Sequence, residues 1–138
     1  MNKDKMNTLA DQIIECVKND KDDFDAYKII AVLDDLKRLV LAKLYEGKEG
    51  LFVIKRRGGV EAFDEVKLAN NLAKASDDAK TPLNESDLSI LVKDVKKKAI
   101  EDHGDNLIES KDIIIFVLET LKNAGLKDMY EVYKRFNG

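Results

Sequence analysis

Residues Val53 to Leu68, Val-Ile-Lys-Arg-Arg-Gly-Gly-Val-Glu-Ala-Phe-Asp-Glu-Val-Lys-Leu, constrain the fold more than any other stretch of this chain. They read as strand, glycine turn, strand and helix start. Side chains alternate along a strand, so Leu51, Val53 and Lys55 are expected on one face. Gly58 and Gly59 offer the positive φ angles that a tight hairpin requires. Asp64 suits the N-cap of the helix that follows. Lys67 then falls in the first helical turn, where free N–H groups and the helix dipole favour anions over cations. A lysine at that point is less costly if it shares an anion with the backbone. Lys55 and Arg56 on the adjoining hairpin are placed to contact the same anion, so the local physics points to a phosphate site.

The rest of the chain bounds what can surround that site. A length of 138 residues admits one domain, or a small domain with an extension. With 44% hydrophobic and 37% charged residues, a core of ordinary size is expected. The formal charge of −3 disfavours a general binder of nucleic acid, although Lys55-Arg56-Arg57 and Lys96-Lys97-Lys98 are locally dense. No stretch approaches the roughly 18 apolar residues of a membrane span. Met1-Asn2-Lys3-Asp4-Lys5 leads into no apolar signal region, so a cytoplasmic protein is expected. Cys16 is the only cysteine, which excludes an internal disulfide and a cysteine zinc site.

Helical periodicity marks two segments ahead of the hairpin. The first runs from about Lys5 to Val17, with Met6, Leu9, Ile13, Cys16 and Val17 on one face. Asn19 to Asp23 is a polar break. The second runs from about Asp25 to Glu46. Its stripe of Ile29, Leu33, Leu36, Val40 and Leu44 is flanked by Ile30, Leu39 and Leu41. That face is wider than one neighbouring helix covers, so burial on two sides is expected, within the chain or by a second subunit. Gly47-Lys48-Glu49-Gly50 ends this helix.

Beyond the hairpin, a helix from Glu65 to about Ser76 carries Val66, Leu68, Ala69, Leu72 and Ala73, and a loop follows from Asp77 to Pro82. Asn84 is the expected cap of a helix bearing Leu88, Leu91, Val92, Val95 and Ala99, which Gly104 ends. Leu107-Ile108 is short enough to form a third strand beside the hairpin. Ser110 is the expected cap of a helix facing inward through Ile113, Ile114, Val117, Leu118 and Leu121, with Gly125 at its end. The last helix presents Met129, Val132, Tyr133 and Phe136 on one side. The order of elements is not alternating βαβ, which excludes a doubly wound sheet. The expected fold is mainly α, of α+β type: a helical bundle with a small two- to three-stranded β-hairpin lid, preceded by an N-terminal helical hairpin. Residues 1–50 form the extension and residues 51–138 the domain.

The pattern V-x-K-R-x-G, a strand ending in Phe63, and the pair Lys67-Leu68 at a helix start resemble the ATP-cone. This module is the nucleotide-sensing domain of many ribonucleotide reductases and of a bacterial repressor of their genes. The resemblance runs from about Leu51 to the C-terminus and implies a β lid over about four helices, with ATP or dATP bound between them. It does not cover the first two helices. It implies Val53 near the base, Lys55 and Arg56 on the triphosphate, and Glu61 and Asp64 near the sugar. It further implies Lys67 with Leu68 at the helix start, Ser110 at a hydroxyl position, and Lys134 within a Y-x-x-Y-R-like ending, lysine replacing arginine. The family usually has Asp where this chain has Arg57, and arginine accepts no hydrogen bond from the turn backbone.

Simpler roles stand beside each of these. Lysines on an edge strand prevent sheet-to-sheet aggregation. Glu61 serves equally as a cross-strand partner, Asp64 and Ser110 as helix caps, Leu68 as core, and Tyr130, Tyr133 and Lys134 as bundle packing. His103 is the only histidine and sits near a helix end, where a structural role is expected. There is no G-x-x-x-x-G-K-[ST], so P-loop chemistry is excluded. The resulting expectation is a regulatory module, not an enzyme, with ATP or dATP as ligand, with or without Mg, and no metal site in the protein itself. It would act on a protein partner or on its own homo-oligomerisation through the N-terminal helices. A nucleotide-responsive nucleic-acid regulator and a ligand-free adaptor are the alternatives. The first is disfavoured by the missing zinc ribbon of the repressor branch and by Asp20, Asp22, Asp23, Asp25, Asp34 and Asp35.

Overall fold

The computed structural model describes residues 1–19 and 25–137, and of His103 the backbone alone. The polar break at Asp20 to Asp23 therefore lies outside the described residues. The chain divides into two compact units, Met1–Lys43 and Leu44–Gly138.

The first unit holds α1 (Lys3–Asn19) and most of α2 (Ala26–Tyr45). Each begins at a polar cap. Asn2 accepts from the Lys5 N–H at 2.8 Å, and Asp25 accepts from the Lys28 N–H at 2.8 Å. α1 extends two residues beyond its expected bounds at each end and α2 stops one residue short at each end, and neither contains a buried residue. Among the described residues, the α2 stripe expected to be buried on two sides is mostly exposed. Leu33, Leu36, Leu39 and Val40 all remain exposed, with only Ile29 and Leu41 half-buried on that stripe.

The second unit contains β1 (Phe52–Ile54), β2 (Val60–Ala62), α3 (Glu65–Asp78), α4 (Glu85–His103), β3 (Leu107–Glu109), α5 (Ser110–Asn123) and α6 (Lys127–Asn137). The strands form one sheet in the order β2-β1-β3. β1 pairs with β2 antiparallel, Val53 opposite Glu61, and with β3 parallel, Val53 opposite Ile108. The central strand is covered on both faces, since Val53 and Ile54 are both buried. Asn106 anchors the sheet's entry. Its amide donates to the carbonyls of Tyr45 at 2.8 Å and Lys48 at 3.0 Å, while its own carbonyl accepts from Phe52 N–H at 2.7 Å.

The core lies between the sheet and the four helices. Leu68, Leu72 and Ala75 of α3 meet Leu91, Val92, Val95 and Ala99 of α4, Phe116, Val117 and Leu121 of α5, and Met129, Val132 and Tyr133 of α6. Two expected core positions point outward instead: Val66 is 69% exposed and Phe136 is 67% exposed. The buried face of α3 follows Leu68, Leu72, Ala75 and Ser76, and Val66 lies off that stripe.

The helix ends follow local chemistry. Asn84 and Asp87 form a reciprocal capping box on α4, and Gly104 closes that helix in the left-handed region at φ 66°. α5 ends with Gly125 N–H on the Lys122 carbonyl and Leu126 N–H on the Leu121 carbonyl, the paired bonds of a Schellman motif. α3 runs two residues beyond its expected end and stops with the same pair of bonds, Lys80 to Asp77 and Thr81 to Ser76. Here the left-handed residue is Lys80, at φ 55°. The buried Ser76 hydroxyl donates to the Thr81 carbonyl and holds the chain at this turn.

Candidate nucleotide site

The hairpin turn is closed by backbone alone. Gly58 N–H donates to the Lys55 carbonyl at 3.1 Å and Lys55 N–H to the Gly59 carbonyl at 3.0 Å. Gly58 and Gly59 take φ 91° and 85°, and Arg57 has no positive φ. An arginine in this turn therefore strains nothing and replaces no bond that the turn needs. Its effect is electrostatic, because it adds a third exposed cation beside Lys55 and Arg56.

Beneath the hairpin lies a cavity of about 370 Å³, within the size range of small-molecule sites. Val53, Lys55, Arg56, Glu61, Asp64, Lys67, Leu68 and Ser110 all line it. Four elements supply these eight residues because β1 is central: its Val53 and the following Lys55 face the start of α3, and parallel pairing brings the β3–α5 junction alongside. Lys134 does not line the cavity. Its ammonium lies 5.8 Å from the ring centre of Tyr130, on the outer side of α6. Asn71, Ile113, Ile114, Tyr133 and Asn137 line the cavity as well. The signal for Asn71 is its spacing four residues after Lys67, one turn along the same face. Ile113 and Ile114 carry no sequence signal that separates a cavity wall from core, whereas Tyr133 is the second tyrosine of the Y-x-x-Y-R-like ending.

The lining joins an apolar surface to a charged rim. Val53, Leu68, Ile113 and Ile114 can cover a flat apolar group, and Lys55, Arg56 and Lys67 can meet an anion. Both carboxylates at the rim are already engaged. Glu61 pairs with the Lys55 ammonium at 2.9 Å across the hairpin. Asp64 caps α3 by accepting from the Lys67 N–H at 3.0 Å, so the expected cap is formed. The expected cap at Ser110 is not. Strand β3 runs into α5 without a loop, so the cap position falls on Glu109, which makes no side-chain capping bond. Glu109 instead pairs with the Lys111 ammonium at 3.1 Å, and that hydrogen bond raises the Lys111 pKa. Ser110 is the first helical residue, half-buried at the cavity wall, with its hydroxyl off capping duty. The first turn of α5, without a side-chain cap, adds N–H polarity that favours an anion nearby.

A family model for the ATP cone domain matches residues 51–137 of the 138, well over half of the chain. The chain belongs to the ATP-cone family. A search of curated proteins finds no match. An ATP-cone is a nucleotide-binding regulatory domain rather than a catalytic one, and domains of the family bind ATP or dATP. The cone of this chain thus has a nucleotide-binding regulatory role, and the fold is the mainly α architecture with a three-stranded lid. Among the described residues, no helix is long and apolar enough to cross a membrane, and no cluster of three His, Cys, Asp or Glu side chains is placed to hold a metal.

Proposed function

We propose that the cavity under the hairpin binds ATP or dATP without hydrolysis, and that its occupancy controls an assembly equilibrium through the N-terminal helices. One observation carries the binding half of this reading. Three cations from two separate elements, Lys55 and Arg56 on the hairpin and Lys67 in the first turn of α3, converge on a single cavity with an apolar wall. A triphosphate meets the cations, and the base meets Val53 and Leu68. Phosphate entry also offers Lys55 a stronger partner than the exposed Glu61 carboxylate, which frees Glu61 for hydroxyl or amino groups of the nucleoside.

The exposed apolar stripe of α2 supports the assembly half. A helix that displays Leu33, Leu36, Leu39 and Val40 to water in the single chain gains by covering them. The covering surface is a second copy of the chain or a separate protein partner, and residues 1–50 are the element that mediates it. Nucleotide shifts this equilibrium only by binding the two assembly states with different affinity. Titration calorimetry with ATP, dATP and ADP tests the site, with saturable binding that Lys55→Ala weakens as the expected result. Absence of binding at millimolar nucleotide would leave an adaptor without ligand. Sedimentation with and without nucleotide tests the assembly, and an unchanged monomer in every condition would refute it.

A further inference from the structure

Tyr133 combines three properties that a packing residue does not need. It is only 5% exposed, yet it walls the main cavity. Its hydroxyl has no hydrogen-bond partner among the described residues, and its oxygen is not among the atoms sealed within protein. It also walls a second, smaller cavity of about 160 Å³ between α3 and α6, which shares Asn71, Tyr133 and Asn137 with the first. A tyrosine buried to this extent normally finds a partner for its hydroxyl, because leaving it unmet forfeits hydrogen bonding with water. Tyr133 walls both cavities, so a group bound there is available as the partner its hydroxyl lacks.

The chemistry of the junction differs from that of the rim. Lys55, Arg56 and Lys67 stand at the hairpin side, whereas Asn71, Tyr133 and Asn137 carry no charge. Asn71 lies one helical turn beyond Lys67 along α3. Asn137 is partly committed, because its amide donates to the Tyr133 carbonyl at 3.0 Å and leaves its own oxygen open. Burial raises the phenol pKa to about 12, so the group stays a neutral donor beside an anionic ligand.

We infer that the Tyr133 hydroxyl, with Asn71 beside it, is a specificity-determining contact for an uncharged hydrogen-bonding group of the ligand, a sugar hydroxyl or a base edge, rather than for its phosphates. This rests on the proposed nucleotide site and adds a reader on α6 to the hairpin and α3 contacts. A site that supplies a hydrogen bond to a ligand group discriminates against analogues lacking that group.

The test is Tyr133→Phe, which keeps the packed ring, with thermal denaturation to verify folding, and Asn71→Ala as a second variant at an exposed position. ATP, dATP, GTP and tripolyphosphate are titrated into each protein. Both variants are expected to bind ATP about 2- to 13-fold more weakly, the size of one neutral hydrogen bond, with tripolyphosphate binding unchanged. A loss for ATP but not dATP assigns the contact to the 2′-hydroxyl. Equal loss for those two with a different loss for GTP assigns it to the base. Unchanged nucleotide affinity in both variants, or an equal loss for tripolyphosphate, overturns the inference while leaving the nucleotide site standing. A wild-type protein that binds no nucleotide overturns both.

Discussion

Replacing Lys67 with glutamine separates the site's function from the fold's stability. Lys67 is the third residue of α3, and its own N–H is held by Asp64 at 3.0 Å. A cation so close to a helix N-terminus opposes the dipole by about 0.3–1 kcal/mol. It also shares a cavity rim with Lys55 and Arg56, which repel it. Glutamine has a similar helix propensity and removes the charge. The ligand-free variant is therefore expected to be more stable by about 0.3–1 kcal/mol, a rise in Tm of roughly 1–6 °C for a domain of this size. The same substitution deletes a charge-assisted contact to phosphate worth about 1.5–3 kcal/mol, so ATP affinity is expected to fall roughly 10- to 150-fold. Differential scanning calorimetry without ligand and isothermal titration with ATP measure the two effects on one sample. The stability gain shrinks in 1 M salt, where the screening length is only about 3 Å. A ligand-free variant that melts lower than wild type, or that binds ATP within twofold of it, refutes the idea that this lysine is kept at a cost for an anion.

Two further outcomes test the surrounding structure. Lys80→Gly relieves a left-handed residue at φ 55° that costs about 1–2 kcal/mol in a non-glycine residue. After the entropy penalty of glycine, a net gain of about 0.5–1 kcal/mol is expected in urea denaturation, and a lower midpoint would contradict the Schellman geometry at the end of α3. Tyr133 has its pKa raised to about 12 by burial, so the folded state holds its proton more tightly than the unfolded chain, and its contribution is intact below pH 10 and lost as pH rises toward 12. Because other groups titrate there, the measurement is the stability difference between Tyr133→Phe and wild type. That difference should be flat below pH 10 and move in favour of the variant by up to about 3 kcal/mol at higher pH, and a flat difference throughout would show that the phenol is hydrated.

Local chemistry was legible wherever a few adjacent residues decide the outcome. Gly58 and Gly59 marked the hairpin, Asp64 and Asn84 the starts of α3 and α4, and Gly104 and Gly125 the ends of α4 and α5, because turns and caps depend on φ angles and side chains within about four residues. Periodicity located the helices by the same logic. It misjudged Val66 and Phe136, since a hydrophobic residue at the edge of a stripe is buried or exposed according to what packs opposite it. Ser110 shows the complementary error. Its residue type suits a cap, but the direct join of β3 to α5 moves the cap position to Glu109.

The sequence alone determined the order of elements, the hairpin with its basic tip, and the misplaced charge of Lys67, because each is written in neighbouring residues. Only the tertiary structure decided that these charges share a cavity with Ile113, Ile114 and Tyr133, which the sequence places on inward helix faces, and with Asn71, to which it gives no role. The parallel pairing of β1 with β3 brings α5 to the hairpin across more than fifty residues of chain, and the packing of α6 on α3 places the buried Tyr133 in the cavity wall. A cavity is the space that packing leaves between distant segments. Its walls follow from how the helices meet, which no single segment specifies.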